Sequence, residues 1–141
     1  MRYDIDFKGY WRDEMVSTMP TYSGIYFVYR CTYNSDQDVV SLKELIYVGQ
    51  ADNLKKRICD HRSHERFQKQ LLAGETLCYS CAKVDKEDIA IVHRALLLMQ
   101  QPVLNRLTAS DIKFGRAEFH LTGRCELVFA SAFNIHEEKR L

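Results

Sequence analysis

From Gly24 to Tyr33 the chain reads GIYFVYRCTY, a run dominated by β-branched and aromatic side chains. Crowding at Cβ suits a pleated strand and works against a helix. The polar NSDQD at 34–38 is turn material, and LIYVG at 45–49 resumes the β pattern. Residues 24–49 therefore predict a hairpin with a long loop. DNLKKRICDHRSHERFQKQLL, residues 52–72, predicts one helix with Asp52 or Asn53 as its N-cap. Leu54, Ile58, Phe67 and Leu71 give that helix a broken apolar stripe, and Gly74 ends it. TLCYSCAKV (76–84) predicts a third strand. KEDIAIVHRALLLMQQ (86–101) predicts a largely buried helix stopped by Pro102. AEFHL and CELVFASAF, on either side of Thr122-Gly123, predict a further hairpin. The expected order is β-β-α-β-α followed by that hairpin. This is an α/β chain of the α+β kind, with a small mixed or antiparallel sheet flanked by helices. All 141 residues are expected to form one domain.

The overall charge excludes a polycation. Twenty Lys and Arg against nineteen Asp and Glu leave a net +1. A nucleic-acid partner would have to be held by a local basic patch. No apolar run reaches the roughly 18 residues of a membrane span, so no membrane role is expected. The opening MRYDIDFKGYW lacks the apolar core of a signal peptide. Together with five cysteines, an odd number, this predicts reduced thiols and a cytoplasmic protein.

The basic patch lies in the predicted helix 52–72. Six Lys or Arg (Lys55, Lys56, Arg57, Arg62, Arg66, Lys69) stand against Asp60 and Glu65. Helical spacing would put Arg57, His61 and His64 on one face, a turn apart. A guanidinium matches phosphate oxygens, and an imidazole exchanges protons near neutral pH. Tyr26 and Tyr47, on the neighbouring strands, could orient a water or touch a phosphate. Read from the residues alone, this segment is open between a solvated basic face and a phosphodiester site.

Gly24-Ile25-Tyr26, Tyr47-Val48-Gly49, Arg57, His61 and Asn105 together resemble the GIY-YIG nuclease superfamily. That group includes intron homing endonucleases, restriction enzymes and the 3′-incision domain of the bacterial excision-repair nuclease. Tyr47 to Arg57 is ten residues, Arg57 to His61 is four, and QPVLN ends in Asn105. The similarity spans about residues 22–106, with 107–141 as a C-terminal extension. It implies metal-assisted phosphodiester hydrolysis of DNA, including branched or damaged DNA. Tyr26 and Tyr47 would flank the attacking water, and one could act as general base. Arg57 would hold the scissile phosphate, and His61 would position or activate the nucleophile. Asn105 would support the site from the loop after the second helix. Gly49 would let the strand end turn toward the helix. Lys55, Lys56, Arg62 and Arg66 would contact the nucleic-acid backbone. Gln50 stands where the excision-repair branch often has a lysine.

The family's metal ligand is a glutamate. Counting back nine from Pro102, or twelve from Asn105, gives His93 instead. Imidazole is a poor partner for Mg²⁺ and an adequate one for Mn²⁺ or Zn²⁺. The implied cofactor is thus a divalent metal, Mg²⁺ or Mn²⁺, held at His93. Three readings stay open. They are a nuclease with altered metal use, a nucleic-acid-binding module without turnover, and a core histidine among Ile89, Ala90, Leu96 and Leu97. Family members often carry a separate recognition domain, so a partner protein or specificity subunit is also implied.

CYSC at 78–81 has a CxxC spacing, but residues three apart on a strand point to opposite faces, which opposes joint ligation. His64 reads as a solvated histidine, and Phe7, Tyr10 and Trp11 read as side chains packed on the sheet.

Overall fold

The computed structural model describes residues 1–60, 64–105 and 116–136. It is an α+β fold built on one six-stranded sheet. The strands are β1 (Arg2–Arg12), β2 (Gly24–Asn34), β3 (Val39–Ala51), β4 (Thr76–Lys83), β5 (Arg116–Gly123) and β6 (Ala132–His136). The helices are α1 (Leu54–Cys59), α2 (His64–Gln68) and α3 (Lys86–Gln100), with a 3-10 helix at Asp13–Thr18. Strand order across the sheet is β3-β2-β4-β1-β5-β6. All pairings are antiparallel except β1 with β5. Among the described residues, no helix is long and apolar enough to cross a membrane.

The expected hairpin is β2 and β3, with Tyr26 opposite Gly49 and Val28 opposite Tyr47. Alternation along β2 divides the core in two. Ile25, Phe27, Tyr29 and Cys31 face one way and pack with Ile89, Val92 and Leu96 of α3. Tyr26 and Val28 face the other way and pack with Leu54 of α1 and Phe67 of α2. The sheet is therefore a central layer, with α3 on one face and the two short helices on the other. The same alternation puts Cys78 in the first cluster and Cys81 in the second, so CYSC is not a joint ligand pair. Gly24 is required by close approach. A Cβ there would lie 1.9 Å from the carbonyl oxygen of Ala82 on β4.

Three expectations are corrected. First, β1 is a strand near the middle of the sheet, hydrogen-bonded on both edges, and not merely a segment packed against it. Ile5 and Phe7 alternate into the core between exposed charged residues. Second, the helix expected over 52–72 is two short helices. Asn53 caps α1 by accepting from the Lys56 amide at 3.0 Å, and Asp60 ends it with extended backbone, φ −79° and ψ 118°. Cys59 is the only apolar residue between Ile58 and Phe67, so no continuous face was available to bury one long helix. Arg57 and His64 are therefore on different helices, although both line one crevice; His61 lies outside the described residues. Third, the C-terminal hairpin is formed by β5 and β6, but Cys125–Ala130 is connection and not strand. The hairpin joins the main sheet through β1.

Candidate phosphodiester site

Tyr26 lies buried on β2, and Tyr47 lies beside it on β3, with ring centroids 6.0 Å apart. Gly49 is opposite Tyr26 in the ladder. A Cβ on Gly49 would come within 2.2 Å of Tyr26 Cζ and 2.5 Å of its hydroxyl. Gly49 therefore lies inside a strand and not at its end, and its function in the fold is to leave room for the Tyr26 ring. Burial raises the Tyr26 phenol well above its ordinary range, and the neighbouring Tyr47 adds to this, while Arg57 and Arg66 oppose it. A phenolate at Tyr26 is disfavoured, so this tyrosine acts as a protonated hydrogen-bonding group.

α1 and α2 bring the cations to this face. Arg57 lines a narrow crevice of about 10 Å³, room for one water, with Tyr26, Ile58, Asp60, His64, Phe67 and Tyr79, and its own side chain is exposed at the surface beside it. Lys56 is exposed on the same short helix, and Lys55 is half-buried. Arg66 lies over the Tyr47 ring, 5.6 Å from its centroid, and donates to the carbonyl of Leu104. Part of its donor capacity is thus used within the protein. Arg62, like His61, is outside the described residues.

The segment after α3 is fastened to the free edge of β3. The Leu104 amide donates to the Ile46 carbonyl at 3.1 Å. Asn105 Oδ1 accepts from the Val48 amide at 2.8 Å, and its Nδ2 donates to the Val48 carbonyl at 2.9 Å. One side chain thus satisfies both backbone groups of an edge residue, as a neighbouring strand would.

His93 does not line the Tyr26–Arg57 cleft. It comes from α3, which packs on the opposite face, and it reaches the sheet edge. Its Nε2 lies 3.1 Å from the Val48 carbonyl oxygen. Burial lowers its pKa, with the Val48 hydrogen bond opposing. The carbonyl can only accept, so Nε2 carries the hydrogen and the neutral ring keeps its lone pair on Nδ1. That second-atom bond is the arrangement a metal-ligating imidazole usually has. Among the described residues there is no group of three or more His, Cys, Asp or Glu that could form a closed cage.

Two residues of the cleft region were not anticipated. Asp13, on the 3-10 helix, accepts from the Tyr79 hydroxyl at 3.0 Å through Oδ1. Its Oδ2 lies 2.7 Å from His64 Nε2. His64 is accordingly not a solvated histidine: only 26% of its side chain is exposed. Asp13 precedes the matched residues and has no spacing relation to them, so only tertiary structure joins it to His64. Tyr79 stands mid-way along the expected third strand, and in the ladder it is opposite Val28, two residues along from Tyr26.

No protein-family model, curated protein or solved structure matches this chain.

Proposed function

We propose that the protein binds DNA through a GIY-YIG-type face and hydrolyses its phosphodiester bonds with the help of a divalent metal. What carries this reading is the Tyr26–Tyr47 pair. A glycine at position 49 is kept clear for it, and Arg57 stands on the cleft beside it. Arg57 holds a phosphate and offsets the charge that develops on it. Lys55, Lys56 and Arg66 add attraction to the backbone, with no sequence preference of their own. Tyr26 and Tyr47 orient the attacking water as hydrogen-bonding phenols. A divalent metal would polarise the phosphate and lower the pKa of a bound water; Nδ1 of His93, which lies outside the cleft, would serve as its ligand only for a phosphate seated at the sheet edge beside Val48. An imidazole ligand favours Mn²⁺ over Mg²⁺. No disulfide joins the five described cysteines, in keeping with a reducing, cytoplasmic setting.

A second reading is favoured by one observation. His93 already acts as a clamp on Val48, together with Asn105, and this alone would justify its place. On that reading the chain is a nucleic-acid-binding module without turnover. Nicking of supercoiled and branched DNA across Mg²⁺, Mn²⁺, Co²⁺, Ni²⁺ and Zn²⁺ decides between them. Metal-dependent nicking that is lost in Arg57→Ala supports the nuclease. Arg57-dependent binding with no nicking in any metal supports the module. DNA affinity that ignores Arg57 removes both.

A further inference from the structure

We infer that the chain pairs with a second copy of itself through an open cavity between the β2–β3 turn and the connection Cys125–Ala130. The inference stands apart from the phosphodiester reading, because the cavity and the Arg57 crevice lie on opposite faces of the sheet. Tyr10, Val40 and Leu42, on the cavity wall, pack with the core cluster under α3. Tyr26, Phe67 and Tyr79, in the crevice, belong to the cluster under α1 and α2.

The cavity has a volume of about 710 Å³, ample for side chains of a partner. Three of its lining residues, Met15, Val39 and Leu127, are large, apolar and exposed. Phe129, two residues beyond Leu127, is 82% exposed. A monomer's surface rarely gathers so many apolar side chains in one place. The connection that carries Leu127 and Phe129 is pinned on both sides of them. The Tyr29 hydroxyl donates to the Glu126 carbonyl at 2.7 Å, and the Tyr10 hydroxyl accepts from the Glu126 amide at 3.4 Å. Gln100 of α3 donates to the Ala130 carbonyl at 2.7 Å and accepts from its amide at 3.2 Å. Between these pins Leu127 stands in the left-handed region, φ 62°, which a leucine seldom adopts. Apolar side chains held out in this way are preorganised for a partner.

Charge selects the occupant. Four charged residues line the cavity, Arg12 and Arg124 against Asp38 and Glu126, so its lining is neutral overall with both signs interspersed. Such a lining gives a nucleic acid or an acidic peptide no net attraction. A second copy brings the same two cations and two acids, and a two-fold contact sets residue i against j and j against i. Arg124 and Glu126 are both exposed and only loosely paired, at 3.9 Å, so each can turn to the opposite charge on the other copy at little cost. Projection and cavity also belong to one patch. Phe129 of each copy can enter the space beside Val39, Val40 and Leu42 of the other.

The test is sedimentation of the full chain from about 1 µM to about 1 mM, where weak and transient interfaces dissociate. Wild type should form a reversible dimer in that span. Phe129→Ser, a surface substitution, should raise the dissociation constant about tenfold or more. Arg124→Glu leaves the lining with one cation against three acids, and Glu126→Arg leaves three cations against one acid. Each variant alone should stay monomeric to higher concentration than wild type. Mixed in equal amounts, the two should recover a dimer containing one copy of each. That recovery is the result a mere loss of folding would not produce. A wild type that is monomeric throughout overturns the inference. So does a dimer that Phe129→Ser and both charge variants leave unchanged, since another face would then join the copies. Charge variants that fail to pair when mixed overturn it as well. A monomeric wild type whose amides at Tyr10, Val40 and Leu42 shift on adding oligonucleotide would assign the cavity to nucleic acid instead.

Discussion

His93 Nε2 and the carbonyl oxygen of Val48 are 3.1 Å apart, and that bond joins α3 to the outermost strand of the sheet. It also fixes the tautomer, and it ties the histidine to the fold whatever its chemistry. A charged imidazole could donate to Val48 equally well, so the pH behaviour is set by burial.

Burial lowers the folded-state pKa of His93 from its ordinary 6.5. The unfolded chain therefore binds this proton more readily than the folded one, and stability must decline as pH falls through the ordinary value. Chemical denaturation at pH 7.5 and pH 5 should show a larger loss for wild type than for His93→Gln. An equal loss in the two proteins would mean that His93 titrates alike in both states.

His93→Glu restores a carboxylate where the resembling family has one, and Mg²⁺-dependent nicking should rise. An ionised glutamate cannot donate to Val48, so the same variant should be less stable, by about 1–3 kcal/mol for the unsatisfied contact. His93→Ala should abolish metal-dependent nicking. If it nicks as fast as wild type, His93 holds no metal.

Gly49→Ala puts a methyl group into the Tyr26 ring, with the nearest approach at 2.2 Å. Tyr26 is buried and cannot swing aside freely, so the expected cost is about 1–3 kcal/mol. Urea denaturation measures it. Adding Tyr26→Ala to Gly49→Ala should cancel much of the strain, which a double-mutant cycle would detect.

Asn105→Ala removes both side-chain bonds to Val48. The buried edge residue would then have an amide without its partner, for a loss of about 1–3 kcal/mol. Hydrogen exchange at the Val48 amide should accelerate, while amides in β4 keep their protection.

Arg57→Ala and Lys56→Ala should each weaken DNA binding uniformly across sequences. Each should lower the slope of log affinity against log salt by about one, as expected for a lost phosphate contact. A change in base preference, or no change in slope, would place these side chains away from the backbone.

Much of this arrangement was legible in the residues. The runs around Tyr26 and Tyr47 could only be strands, and the spacing of Ile89, Val92 and Leu96 could only bury one helical face. β1 was less visible because its apolar residues, Tyr3, Ile5 and Phe7, alternate with Asp4, Asp6 and Lys8. That pattern belongs to a strand with one wet face, and the charges disguised its place near the centre of the sheet. The break at Asp60 was missed because strong helix formers flank it, Leu54 to Arg57 before and Glu65 to Leu72 after, and masked the weaker run CDHRSH at 59–64, which also lacks a buried stripe. The Asp13–His64 contact spans 51 residues and joins a 3-10 helix to α2, and no local pattern encodes such a meeting.

The parallel pairing of β1 with β5 has a further consequence, for how the chain folds. Asp6 and Thr122 are ladder partners and share a hydrogen bond across 116 residues of sequence. Pairings of such long range are slow to close, because the loop entropy is lost before the ladder can offset it. β2, β3 and β4 can assemble early as neighbours, but β1 has one bonded edge until β5 arrives. A nascent chain would thus expose an unpaired strand edge late in its synthesis. Removing β1 would do more than shorten the sheet: it would cut it into a three-stranded piece carrying Tyr26 and a two-stranded hairpin with nothing to join them.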